Sequence, residues 1–397
     1  MTNFSHSTIQ RSLTTGFKSS LLPLYDISHE VPVEEESSRL ELSSPGLSSI
    51  APMGINIYCP RQRVEDYEHL ICQEVTLRRS LYNRHQPVAS IWWRGSPLQQ
   101  FSPEAITELC FRLSSHFTHQ QEGSTRGMAV TPMELEKTNL ALMKGLNFTA
   151  IQLHIDASVA SGDRSLSKIE TALQLLSDYR SFELSCVIKF SAQTHPDFLD
   201  RLLNLLEISH CNQIEVLSQK SGPTSLQDRM ASQNQLARIN QHFQDCRWRG
   251  CGNNNFFAPS HAQGTVSQQS KLEATPWGYM ARSIPVWLGF GIAALSLDAG
   301  RYQYNTPSSE HYVNLLADRK LPVHSHFRLA DNKTVNFQLI QQLLCEHTMT
   351  PTTAQLHRRL ASLIPREWLK EEDDKLTLNT LGVVNLSSIC DKLSTAL

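Results

Sequence analysis

Residues 150–190 contain three runs that decide the fold: Ala150-Ile151-Gln152-Leu153-His154-Ile155, then Leu166 to Leu176, then Leu184-Ser185-Cys186-Val187-Ile188-Lys189-Phe190. The first and third are short apolar-rich runs of strand type, and the middle one repeats apolar residues at helical spacing. Thr194 follows as an expected N-cap, opening a helix that carries Phe198, Leu199, Leu202, Leu203 and Leu206. Gln213 to Leu217 is the next strand. Strand, helix and strand recurring at this pace predict a parallel sheet with right-handed crossovers.

The alternation continues toward the N-terminus. Ile55-Asn56-Ile57-Tyr58-Cys59 is a strand, followed by an amphipathic segment with Tyr67, Leu70, Ile71, Val75 and Leu81. Val88 to Trp93 is a second strand. Ser102-Pro103-Glu104 starts a helix, with proline at the first helical position and an acid at the positive dipole end. Its inward face is Ile106, Leu109, Cys110, Leu113 and Phe117. Thr131-Pro132-Met133-Glu134 reads as a capping box opening a helix that ends near Gly145. About six such units point to an α/β chain built as an incomplete (β/α)6 TIM-type barrel. Ligands in such folds bind at the C-terminal ends of the strands. His154 and Asp156 end a strand and therefore project at the mouth or interior.

The expected organisation is a serine-rich mobile arm over 1–50 and a partial barrel over 51–245. A barrel extension closing the cavity follows over 246–310, then a small helical, winged-helix-like unit over 311–397. Residues 220–270 are polar and rich in Gln, Asn and Ser. The last part reads as helices, a hairpin-like Leu376-Thr377-Leu378 and a final helix.

The net charge is -2, with 40% hydrophobic and 19% charged residues. This excludes a strong global pull toward nucleic acid or an anionic membrane. No apolar run reaches membrane-spanning length, and the N-terminus has no signal-peptide core, so the cytoplasm is expected. The nine cysteines are dispersed, which suits reduced, buried thiols. His324-Ser325-His326 is read as a strand face without a metal partner, and no Gly-x-Ser-x-Gly, P-loop or His-Glu-x-x-His motif occurs.

Four places in residues 54–390 carry a family resemblance. Ile55 to Pro60 is similar to the first strand, with its closing proline, of the oxygen-independent coproporphyrinogen III oxidase-like radical-SAM family, which includes haem chaperones. Ile91-Trp92-Trp93-Arg94-Gly95-Ser96-Pro97 resembles that family's second strand and Trp-Gly-Gly-Gly-Thr-Pro turn. Lys189-Phe190-Ser191-Ala192-Gln193-Thr194 resembles its Gly-Leu-Pro-x-Gln-Thr strand end. Gly252 to Pro259, Trp277-Gly278-Tyr279-Met280 and Trp287-Leu288-Gly289-Phe290-Gly291 resemble its later cavity elements.

The resemblance implies a Cys-x3-Cys-x2-Cys loop holding a 4Fe–4S cluster, with SAM beside it. Here Pro60 runs directly into Arg61-Gln62-Arg63-Val64, and Trp93 and Arg94 replace two turn glycines. No iron–sulfur cluster is therefore expected, and the usual SAM pose is disfavoured. The implied ligand-binding residues are Arg94, Gly95, Ser96, His154, Asp156, Gln193, Tyr279, Arg282, Gly289 and Gly291; no catalytic or metal-ligating residue is assigned. Arg94, Arg164 and Arg282 are candidate cations. The leading expectation is a degenerate family member binding a tetrapyrrole such as haem or a porphyrin, or a related anionic small molecule. The alternatives are a SAM-using enzyme of polar, transferase-like chemistry, and a pseudoenzyme acting through a protein partner. Radical coproporphyrinogen oxidation, an oxidoreductase activity, is not expected.

Overall fold

The structure, a computed structural model, describes residues 25–32, 52–82, 86–119, 124–158, 162–179, 181–218, 225–252, 254–259, 272–275, 277–280, 284–298, 301–329, 335–372 and 374–396. Strand β1 is Tyr25–Pro32. The body runs β2 (Met53–Cys59), β3 (Pro87–Gly95), β4 (Thr118–His119), β5 (Thr125–Val130), β6 (Ala150–Asp156), β7 (Glu183–Phe190) and β8 (Cys211–Ser218). Helices Tyr67–Arg79, Pro103–His116, Lys137–Gly145, Asp163–Asp178 and Pro196–Ile208 lie between them. Strands β2, β3, β5, β6, β7 and β8 pair in that order and all in parallel, as the alternation predicts.

The two flanks are antiparallel. β9 (Arg249–Cys251) and β10 (Asn255–Phe257) form a hairpin on the β8 edge. β11 (Glu273–Thr275) and β12 (Gly278–Met280) make a separate hairpin. β13 (Val286–Phe290) returns parallel to β2, and β14 (Leu295–Asp298), β15 (Arg301–Asn305) and β16 (Val323–Leu329) extend the sheet beyond it. β1 adds to β16 as the outermost strand, so part of the segment expected as a mobile arm is a strand; residues 1–24 and 33–50 lie outside the described residues. The large sheet runs β1-β16-β15-β14-β13-β2-β3-β5-β6-β7-β8-β10-β9, with no pairing between its ends among the described residues: an incomplete barrel. It extends past residue 310, because β16 falls beyond that boundary. The C-terminal unit then follows as helices Val335–Glu346 and Ala354–Leu363 with a small antiparallel sheet of β17 (Thr348–Met349), β18 (Leu369–Glu372) and β19 (Lys375–Leu378). Two further helices, Thr380–Val384 and Leu386–Ala396, complete it.

Three local expectations shift. Thr131 N donates to Glu134 Oε2 at 2.7 Å, so the reciprocal bond of the capping box forms. The helix nevertheless starts at Lys137, because Leu135 turns into the core and interrupts the path. Thr194 is not the cap of its helix. Pro196 holds the first helical position, so His195 is the N-cap and accepts from Asp197 N. Thr194 Oγ1 instead accepts from Ser191 N at 3.0 Å and donates to Ala157 O at 3.2 Å, tying the β6 and β7 exits together. Inside the polar 220–270 stretch stands helix Leu226–Asp245, opened by a Ser225–Asp228 capping box. Its buried residues are only Gln235, Ile239, Asn240 and Phe243, too narrow a stripe for an apolar period to stand out.

Two cores hold the fold. The first lies between the parallel strands and their helices, joining Ile55, Ile57, Ile91, Met128, Ile151, Leu153, Ile188 and Val216 to helix residues such as Ile71, Leu109 and Leu202. The second fills the open seam of the sheet. Cys251 and Phe257 come from one end, Leu295, Tyr302 and Tyr304 from the other, and Leu339, Ile340, Leu343 and Leu344 of helix Val335–Glu346 lie among them. Trp277 stacks on Trp287 at 5.0 Å in the same region. The sheet is therefore closed by side chains rather than by strand pairing.

Candidate functional site

Successive residues of a strand point to opposite faces. The helix-side face of the barrel strands is aliphatic, as its place in the first core shows. The opposite, inner face carries Asn56 and Tyr58 on β2, and Trp92 and Arg94 on β3. β6 adds Gln152, His154 and Asp156, β7 adds Lys189, and β8 adds Gln213 and Glu215. A fully buried parallel sheet reads as continuous apolar runs. The inner face of these strands departs from that pattern by its polar residues.

Two glycines give the inner aromatics their room. Trp92 lies over Gly127, where an added Cβ would come within 2.4 Å of the ring, and Trp287 lies over Gly54, where it would come within 2.3 Å. Arg94 sits beside Trp92, its guanidinium carbon 5.4 Å from the ring centroid. Its Nε donates to Asn56 Oδ1 at 2.6 Å. Asn56 is fully buried, and its Nδ2 has no partner among the described residues. Arg94 is enclosed by protein while keeping some accessible surface. Burial holds its pKa below the ordinary arginine value, with Tyr58 and Glu215 opposing that shift.

The neighbouring ionisable groups respond to this cation. Burial, and after it the charges of Lys189, Arg94 and Arg61, together lower the His154 pKa to about 4. Burial and then Arg61 also lower Lys189, against a raising influence from Asp156. Burial raises the Tyr58 phenol, while Arg94 and the Trp277 indole pull it down. The mouth thus gathers Arg61, Arg94 and Lys189 around a neutral imidazole, with Asp156 and Glu215 as the acids. His154 Nε2 lies 3.0 Å from Gln152 Oε1, and Asp156 Oδ1 accepts from Ser158 N and Oγ.

Of the residues expected from the sequence, Arg94, His154 and Asp156 come together on this face. The others stand elsewhere. Gly95, at φ +84°, lets β3 close onto β2, since a Cβ there would lie 2.1 Å from Cys59 O; Ser96 N donates to that same oxygen at 3.0 Å. Gly289 faces the Leu295 backbone, and Gly291 N donates to Glu74 Oε2 at 2.8 Å. Gln193 is exposed in an outer groove of about 390 Å³ between its loop and helix Leu226–Asp245. Tyr279 is buried in the seam core. Arg164 is exposed on its helix, and Arg282 lies outside the described residues. Sequence reasoning missed Asn56, Glu215 and Gln213 as inner-face residues. The signal was present as alternating polar residues in strands that otherwise read as buried.

A 4Fe–4S cluster needs several thiolates placed around it. The chain leaving β2 is Pro60-Arg61-Gln62-Arg63-Val64-Glu65-Asp66, without a thiol. Cys59 projects into the aliphatic core, and burial pushes its thiol well above the ordinary value. These residues do not fit a cluster of the usual kind.

No protein-family model matches the chain. In sequence it is 20% identical over 305 residues to an oxygen-independent coproporphyrinogen III oxidase of Pseudomonas aeruginosa, covering 72% of this chain and 66% of the relative. A protein of the same name from Synechocystis sp. is 18% identical over 308 residues, covering 72% and 65%. The chain thus spans just under two thirds of the length of these curated relatives. In structure it is similar to the coproporphyrinogen III oxidase HemN of Escherichia coli, a radical SAM enzyme. That match has a TM-score of 0.74 at 14% identity and covers 94% of this chain and 97% of that one. The fold is therefore that of HemN, and the resemblance carried by the four motifs is matched by both comparisons. Among the described residues, no helix is long and apolar enough to cross a membrane.

Proposed function

We propose that this chain is a divergent relative of the coproporphyrinogen III oxidases that binds a planar, carboxylate-bearing tetrapyrrole at the barrel mouth without an iron–sulfur cluster. The observation that carries the reading is the crowd of cations at the strand ends. Burial depresses His154, and Lys189, Arg94 and Arg61 add to that depression. An anionic ligand relieves that repulsion, and charge-assisted bonds from arginine to a carboxylate are among the stronger polar contacts. Trp92 and Tyr58 supply aromatic surface beside the cations, which suits a flat ligand. The loss of thiols after β2 removes the means of radical initiation and leaves the pocket wall in place.

The test is an absorption titration of the purified protein with haem and with coproporphyrin, repeated with the porphyrin tetramethyl ester. Saturable spectral shifts with the free acids and weaker binding of the ester are expected. No spectral change at micromolar ligand sinks the proposal.

A further inference from the structure

On the outside of the barrel, away from the mouth, helices Pro196–Ile208 and Leu226–Asp245 run side by side. Among the described residues, one group of at least three His, Cys, Asp or Glu side chains brings its ligand atoms together: Glu207 from the first helix with His242 and Cys246 from the second. Cys246 caps its helix, and its N–H donates to His242 O at 3.1 Å. That four-residue spacing puts thiol and imidazole on one helical face. His242 Nε2 lies 3.7 Å from Glu207 Oε2 and 4.0 Å from Cys246 Sγ, and all three ligand atoms fall within 4.8 Å of one another.

Tetrahedral zinc with ordinary bond lengths separates an oxygen and a nitrogen ligand by about 3.3 Å, and a sulfur and a nitrogen ligand by about 3.6 Å. The observed spacings exceed those edges by only a few tenths of an ångström, which side-chain rotation covers. The anchoring is rigid on the inner side. Phe243, next to His242, stacks on Phe256 at 4.5 Å and packs on Trp248, fixing the end of the helix. The outer side is open, with the His242 side chain 22% and the Glu207 side chain 43% exposed, so an ion enters without unfolding.

We propose that Glu207, His242 and Cys246 form a binding site for a zinc-class divalent ion that clamps these two helices together. Thiolate, imidazole and carboxylate together select a borderline ion such as zinc over magnesium or calcium, which prefer all-oxygen sets. On binding, the sulfur–hydrogen bond of Cys246 breaks, the proton goes to solvent and the sulfur lone pair forms the metal bond, with no change of oxidation state. Three protein ligands leave one tetrahedral position for water.

The test uses the full chain, stripped with a chelator and titrated with cobalt(II), with zinc(II) then added in competition. One cobalt per chain is expected, with a thiolate-to-cobalt charge-transfer band and d–d bands of tetrahedral intensity that zinc abolishes. His242→Ala and Cys246→Ser should lose those bands, and Glu207→Ala should bind at least tenfold more weakly, with folding verified by circular dichroism. Should Cys246→Ser fold poorly, the variants at the partly exposed His242 and Glu207 carry the same decision. Absence of a thiolate–cobalt band in the wild type, or unchanged binding in the His242 and Glu207 variants, overturns the site.

Discussion

Arg94 donates its Nε to the buried Asn56 Oδ1 across adjacent strands at 2.6 Å, with its guanidinium carbon 5.4 Å from the Trp92 ring centroid. A buried amide with one partnered and one unpartnered atom is an unusual arrangement in a core, because unmade bonds there cost about 1–3 kcal/mol. Under the proposed function, the bound tetrapyrrole completes the set.

Arg94→Ala should therefore weaken haem or coproporphyrin binding by at least tenfold, since a hydrogen bond to a charged group contributes about 1.5–3 kcal/mol. Arg94→Lys keeps the charge but loses the Nε bond to Asn56 and the planar stacking, and should fall between the two. Absorption titrations of the three proteins check this. Equal affinities would remove Arg94 from the site.

Glu74 is the hub of a buried network. Its carboxylate accepts from Arg78 Nε at 2.9 Å, Asn305 Nδ2 at 2.8 Å, Gly291 N at 2.8 Å and Tyr312 OH at 2.6 Å. Glu74→Ala leaves the Arg78 charge buried and should cost about 3–5 kcal/mol. Tyr312→Phe removes one of the four donors and should cost less. Urea unfolding of both variants and of the double variant should show non-additive losses, as expected for residues in one network.

Gly95→Ala should destabilise the fold by more than about 1 kcal/mol, because positive φ and the Cys59 carbonyl both oppose a side chain. Gly145, which ends its helix in open space, is the contrasting case: Gly145→Ala should be neutral or stabilise by about 0.4–1 kcal/mol. Thermal melts of the two variants distinguish a glycine demanded by packing from one that is not.

His154 should make the fold acid-sensitive. Its pKa falls from an ordinary 6.5 to about 4, so between those values the unfolded chain takes up a proton that the folded chain refuses. Stability is thus lost as pH falls through that window, and the loss is complete below the folded-state value. His154→Asn should flatten this part of the profile. Denaturation midpoints at about pH 7 and about pH 4.5 for both proteins measure the difference, and parallel profiles would contradict the assignment.

Much of the barrel was legible because its signals are local. Ser102 caps its helix, accepting from Ala105 N, with Pro103 at the first helical position, and β2, β3, β6, β7 and β8 stand within a few residues of their expected bounds, whereas β5 (Thr125–Val130) was not singled out from the sequence. Helix Leu226–Asp245 was not legible, because only one sparse stripe of it, two of whose four residues are polar, is buried. The site was half legible. Arg94, His154 and Asp156 follow from strand ends, whereas Gln193 and Tyr279 sit at matching motif positions but face an outer groove and the seam core.

The sequence by itself determined the strand–helix alternation, the aliphatic helix-side face and the absence of thiols between Pro60 and Asp66, since periodicity, capping and residue identity all act over a few residues. Only the tertiary structure decided that Asn56 would orient Arg94, that Glu74 would hold Gly291 from 217 positions away, and that helix Val335–Glu346 would fill the seam of an unclosed sheet. Those contacts depend on strand order and on how far the sheet curls, and neither is encoded in the local pattern of any one element.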